Sequence, residues 1–146
     1  MSWRSSTRVL PIALGLLVAG SALATGFGGS DAPPARIPVP AHDYTAVVED
    51  QSGTRVSVSQ VSYNGEVFVY GMLGEGKATV PFETIREVRF EPSGTEGKLV
   101  AFIVLKEGGQ SVKLLVDSDV PAYGRTAFGT YSITVDKVRK IEFPAS

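Results

Sequence analysis

The feature that most restricts the fold of this chain is an internal repeat. Residues 70–90 align with residues 123–143 without a gap, at a constant separation of 53 positions. Unrelated segments of this length share about one identical residue, given average amino-acid usage. Five identical pairs occur here: Tyr70 with Tyr123, Gly71 with Gly124, Gly76 with Gly129, Arg86 with Arg139, and Phe90 with Phe143. Such a repeat predicts two copies of one structural unit.

The repeat extends toward the N-terminus at a slightly larger separation. Val56 matches Val112 at 56 positions, and a loop that is three residues longer in one copy explains the difference. The two units are therefore expected at about residues 43–91 and 97–144. A unit of about fifty residues rarely holds a stable core without disulfides or metal, so we expect the two to fold together as one domain.

Both units carry patterns typical of β-strands. Residues 55–59 alternate between polar and apolar side chains, which is the pattern of a strand buried on one face. The dipeptide Asn64-Gly65 lies between two apolar runs and is the strongest short-range signal of a β-hairpin. Residues 99–105 form a nearly continuous apolar run, as expected of a strand that is covered on both faces.

Each unit ends with apolar residues whose spacing changes from three to two. They are Phe82, Ile85, Val88 and Phe90 in the first unit, and Val135, Val138, Ile141 and Phe143 in the second. A step of three suits a helical turn and a step of two suits a strand. Each unit is thus predicted to end strand–helical turn–strand, similar in pattern to small SH3-like barrels, which implies no function. The expected fold class is all-β: a compact sandwich or barrel built from two duplicated units.

The N-terminal segment has the order of features that defines a secretory signal peptide. Arg4 and Arg8 precede an apolar stretch over residues 9–19, and Ala22-Leu23-Ala24 is a small-residue cleavage site. The apolar stretch is shorter than the about 20 residues of a membrane span, so we expect cleavage and no transmembrane segment afterwards. Residues 25–42, rich in Gly, Pro and Ala, are predicted to form a flexible tether. The protein is therefore expected to be exported, to the periplasm or the extracellular space.

Charge and cysteine content exclude several classes of function. Arg4 and Arg8 leave with the signal peptide, so 12 of the 14 basic residues remain beside all 15 acidic ones. This balance gives no electrostatic reason for binding nucleic acid. The sequence contains no cysteine, which excludes disulfides, thiolate chemistry and Cys-ligated zinc. We expect no cofactor.

Few residues are candidates for catalysis or metal binding. His42 is the only histidine, and it lies where the predicted tether meets the domain, so a solvated edge position is favoured over a catalytic role. Asp117 and Asp119 resemble the start of a calcium loop, but further oxygen ligands do not follow, which favours a polar turn. These two are weak metal candidates. With no nucleophile and base in a recognisable arrangement, we expect the chain not to be an enzyme.

Aromatic side chains near the predicted loops are the candidate contact residues. Tyr63, Tyr123 and Phe128, with Arg125 beside them, could form a ligand or partner surface. Aromatic residues in a small β domain are also needed in its core, so both roles remain open.

The sequence therefore favours an exported, non-enzymatic module of the bacterial cell envelope with an interaction or structural role. Its partner would be an envelope protein or a polysaccharide. The alternative is a carbohydrate- or small-ligand-binding domain that uses the loop aromatics of the second unit.

Overall fold

The computed structural model describes residues 36–145. The predicted signal peptide and the predicted tether as far as residue 35 lie outside the described residues. The described end of the tether contacts the domain: the side chain of Ile37 is only 6% exposed, and Pro38 lies beside Gly65. This part of the segment therefore packs against the fold because it carries an apolar residue that the core can bury.

The structure confirms the all-β prediction. Its strands are β1 (Ala46–Asp50), β2 (Arg55–Tyr63), β3 (Phe68–Leu73), β4 (Gly76–Pro81), β5 (Ile85–Pro92), β6 (Lys98–Leu105), β7 (Ser111–Asp117), β8 (Pro121–Thr126), β9 (Gly129–Thr134) and β10 (Val138–Glu142). Two 3₁₀ turns, Phe82–Thr84 and Val135–Lys137, precede β5 and β10 at the places where the three-residue spacing predicts a helical turn. The Asn64-Gly65 hairpin is also present: both residues have positive φ, and Tyr63 and Glu66 exchange two main-chain hydrogen bonds.

All ten strands lie in one antiparallel sheet that is curled into a half-barrel. The strand order is β4-β3-β7-β6-β5-β10-β1-β2-β8-β9. The sequence left a sandwich or a barrel open, and the sheet closes into neither, because β4 and β9 end it on opposite sides and do not pair. Among residues 36–145, β4 and β9 each pair with a single neighbouring strand, and strands in this position can take up a further strand.

The pairing of strands crosses between the two halves of the chain. The hairpin β3–β4 is added to β7, and the hairpin β8–β9 is added to β2. At the middle of the sheet β5 pairs with β10, where Val88 lies opposite Ile141. Each half therefore supplies the outer strands beside the other half.

The core occupies the inner face of the curled sheet. It forms one cluster with side chains from both halves, such as Val48, Val88, Leu114 and Ile141. Alternation of buried and exposed positions along the strands sends the intervening side chains to the outer face.

Candidate functional site

The structure separates the four predicted contact residues. Tyr63 is buried in the core at 2% exposure, and Tyr123 is half-buried in β8. Arg125 is exposed near the end of the same strand. Phe128 stands at the tip of the β8–β9 hairpin with 86% of its surface exposed. Three of the four thus lie on one hairpin, and Tyr63 does not share a surface with them.

Tyr63 is a core residue because its ring packs against its neighbours in the fold. The ring meets Tyr70 edge to face, with centroids 5.0 Å apart. Its hydroxyl is buried and has no hydrogen-bond partner among the described residues. Burial raises the pKa of the Tyr63 phenol well above its usual value, and Tyr70 and the charge of Asp117 add to the effect. Burial of the ring removes Tyr63 from any surface contact.

Arg125 is engaged within the sheet. Its Nε donates a hydrogen bond of 2.9 Å to Oε1 of Gln60. Gln60 lies in a bulge of β2 and has a φ of 49°, and its main-chain N–H donates to Asp43. The guanidinium therefore spans the seam between β2 and β8 and helps to close it.

The β8–β9 hairpin forms one edge of the sheet. Strand β9 contains no charged residue and no proline, and Phe128 projects at its beginning. Natural sheets protect such edges with lysine, proline or bulges, because an unprotected edge pairs readily with another strand. The opposite edge, β4, does carry such protection, since it includes Lys77 and ends on Pro81.

A groove of about 550 Å³ lies where β3 approaches β7. Its apolar wall consists of Phe68, Tyr70 and Met72 of β3 and Leu115 of β7. These three residues of β3 are alternate positions on one face, while Val69 points to the core. Strand β3 has apolar side chains on both faces, whereas a fully solvated face would be polar. This pattern is the feature of the sequence that could have indicated the groove.

The rim of the groove is charged. Lys98 of β6 forms an ion pair with Asp117 of β7, and Lys77 of β4 lies on the other side. Among the described residues Lys77 takes part in no ion pair, so the rim has an excess of positive charge. The groove is a shallow apolar trough with one available cation, and neither Tyr123, Arg125 nor Phe128 belongs to it.

The outer face at the centre of the sheet is occupied by ion pairs. Arg55 contacts Glu49 and Glu142, each at 2.9 Å, and Arg139 contacts Glu49 at 3.1 Å. Arg55 and Arg139 are therefore already paired with carboxylates.

The metal candidates do not converge in the structure. Asp117 pairs with Lys98, and Asp119 lies in the turn that follows β7. Within residues 36–145 no three or more acidic or histidine side chains are grouped closely enough to hold a metal ion. His42 is exposed and meets Tyr44 edge to face at 6.4 Å. In the same range no helix has the length and apolar character needed to cross a membrane.

The part of the chain that matches a known protein family covers the whole sheet. A family model described as "Uncharacterised protein" matches residues 40–145. The chain belongs to this family. The matched region includes all ten strands. Neither a curated protein nor a solved structure matches the chain.

Proposed function

We propose that this chain is an exported, non-enzymatic interaction module of the bacterial cell envelope. Its binding element is the edge strand β9, onto which an extended segment of another envelope protein adds as a further strand. The observation that carries the proposal is the uncharged edge strand β9, with Phe128 86% exposed at the tip of the β8–β9 hairpin.

An open strand edge favours a protein partner over a polysaccharide. Its main-chain N–H and C=O groups alternate at the spacing of another polypeptide strand, so a peptide can continue the hydrogen-bond ladder. An exposed aromatic side chain beside that ladder supplies apolar contact area, and such residues often dominate the binding energy of interfaces. Phe128 is placed to do this for a strand that pairs with β9.

Export and the absence of catalysis are parts of the proposal that rest on the sequence. Arg4, Arg8 and Ala22-Leu23-Ala24 support secretion. The lack of cysteine and the presence of a single histidine, exposed at position 42, support a role in binding. We therefore place the protein in the periplasm or outside the cell.

We also propose that the half-barrel arose by duplication, which the strand order supports. Each strand of the first half has a counterpart five places later, so that β1 corresponds to β6 and β5 to β10. When every strand is replaced by its counterpart and the sheet is read from the opposite edge, the strand order is the same. The 3₁₀ turns begin at Phe82 and Val135, 53 positions apart. Equivalent main-chain bonds precede them: Phe82 donates to Val67 and Val135 donates to Val120, both at 2.9 Å.

The experiment is site-specific photo-crosslinking of the full chain in its own cells. A photoreactive residue at position 128 is compared with one at position 75, the matching tip of the β3–β4 hairpin. We expect a discrete product with one identifiable envelope protein from position 128 and none from position 75. The product should disappear when Ser132→Lys is added, because a lysine on an edge strand discourages strand pairing.

Three results would overturn the proposed docking. They are no product from position 128, the same product from both positions, or a product that persists with Ser132→Lys. A product with twice the mass of the chain would show that β9 pairs with a second copy instead of another protein.

A further inference from the structure

The groove lies beside the seam between β3 and β7, where there is little strand pairing. The strands are joined by one residue pair, Met72 with Leu115. At the corresponding seam, β2 and β8 are joined by Ser59 with Arg125 and continue pairing beyond the bulge. These two pairs occupy equivalent positions of the sequence repeat. Met72 matches Arg125 at the separation of 53 positions, and Ser59 matches Leu115 at the separation of 56.

The two seams differ in the side chains that face each other across them. At β2–β8 the guanidinium of Arg125 reaches across to Gln60. At β3–β7 the equivalent residue is Met72, whose thioether cannot form such a bond, and the partner Leu115 is also apolar. The contact between β3 and β7 is therefore apolar, whereas the equivalent contact between β2 and β8 is a polar hydrogen bond.

The polar groups at this trough are suited to an anion. Lys77 lacks an ion-pair partner among the described residues, whereas the nearby Lys98 is already paired with Asp117. The hydroxyl of Tyr70 accepts a hydrogen bond of 2.8 Å from Nδ2 of Asn64, so its own proton remains to be donated. Both available groups are thus donors at the edge of an apolar surface.

We propose that the β3–β7 groove binds a small amphipathic anion. Its apolar or aromatic body lies on Phe68, Met72 and Leu115, and its carboxylate contacts Lys77. The groove volume of about 550 Å³ is within the usual range for small-molecule sites. A free sugar fits this surface less well, because it would need more polar partners than the apolar wall supplies. This site is separate from the edge strand β9 and does not depend on the function proposed for that edge.

The test is titration of the ¹⁵N-labelled mature chain, followed by NMR, with three probes. Phenylbutyrate has an aromatic body and a carboxylate, phenylbutanol has the body alone, and butyrate has the charge with little apolar surface. We expect phenylbutyrate to bind with chemical-shift changes confined to β3, β4, β6 and β7. The other two probes should bind at least about tenfold more weakly, a difference of about 1.4 kcal/mol.

Variants separate the charge from the apolar wall. Lys77→Gln should lower the affinity for phenylbutyrate to that of phenylbutanol, while Lys137→Gln, an exposed lysine outside the groove, should leave it unchanged. Met72→Glu places a carboxylate on the apolar wall and should abolish binding of phenylbutyrate and weaken binding of phenylbutanol. The spectrum of each free variant shows whether it is folded.

The outcomes are decisive in either direction. Equal affinities for phenylbutyrate and phenylbutanol, or an unchanged affinity in Lys77→Gln, would overturn the assignment of an anion. Shift changes outside the groove, or no binding at millimolar probe, would overturn the site itself. Crosslinking at position 128 is independent of these results.

Discussion

Val88 of β5 and Ile141 of β10 lie directly opposite each other at the centre of the sheet, and both are buried. The neighbouring pair on the outer face, Arg89 opposite Lys140, brings two positive charges together. Like charges directly opposite each other destabilise a pair of strands. Arg89 is partly compensated by Glu87 in its own strand at 3.4 Å. The buried pair on the inner face therefore contributes attraction between β5 and β10 that offsets this repulsion.

The first prediction concerns the core on both sides of this junction. Phe90 and Phe143 are each 5% exposed and belong to the same cluster. Phe90→Ala and Phe143→Ala should each lower the free energy of unfolding by about 3–5 kcal/mol, because each leaves a cavity. Phe128→Ala, the exposed control, should change it by less than about 0.5 kcal/mol.

Calorimetry or denaturant unfolding measures these changes. Since the strands of the two halves are interleaved, every variant should show one cooperative transition. Two transitions, with each core substitution moving only one, would contradict the interleaved architecture.

Close approach of strands makes Gly71 sensitive to substitution. A Cβ atom at this position would lie 2.5 Å from the main-chain oxygen of Leu115. Gly71→Ala should therefore force β3 and β7 apart and destabilise the fold by about 1–3 kcal/mol. Gly76→Ala is the matched control in the same hairpin, since its nearest contact would be 3.8 Å away. Thermal melts that show equal effects for both variants would rule out the steric explanation.

The buried hydroxyl of Tyr63 makes stability depend on alkaline pH. Burial raises the pKa of Tyr63 in the folded chain, whereas in the unfolded chain it ionises near about pH 10. Above that pH the unfolded state releases a proton that the folded state retains, so stability falls as pH rises. Tyr63→Phe should reduce this fall.

At neutral pH the same substitution removes a buried polar group that has no partner. Tyr63→Phe should therefore be neutral or stabilising by up to about 1–3 kcal/mol. Urea unfolding at pH 7 and pH 11 measures both effects. A clear loss of stability at pH 7 would mean that the hydroxyl has a partner.

Removal of metal should leave the protein unchanged. Asp117 is paired with Lys98, and one carboxylate beside it at Asp119 supplies too few oxygen ligands for tight calcium binding. Melting with a chelator and with added calcium should give the same Tm. A drop of several degrees in the chelator would identify a metal-stabilised loop after β7.

Processing of the exported chain should expose Thr25 as the new N-terminus. Ala22 and Ala24 have the small side chains that a signal peptidase accepts. N-terminal sequencing of the secreted protein measures this directly. Recovery of the chain in a membrane fraction with Met1 intact would contradict cleavage.

Local patterns in the sequence predict the elements of this fold well. The Asn64-Gly65 hairpin and the helical turn before β5 depend on residues within a few positions of each other, so their signals are visible in the linear chain. The all-β class follows from the same alternation and turn signals. Aromatic residues were harder to interpret, because Tyr63 and Phe128 have similar local surroundings in the sequence and opposite exposures in the fold.

The sequence by itself thus determined the strands, their turns and the repeated spacing, whereas the tertiary structure alone decided how the strands pair. Met72 meets Leu115 across the sheet although the two are far apart in the chain, and no local pattern encodes that meeting. Its consequences, the open edges and the groove between β3 and β7, depend on the simultaneous packing of both halves around one core. The strands pair in the way that buries this shared core, and the core contains residues from the whole chain, so a local segment of sequence does not determine the pairing.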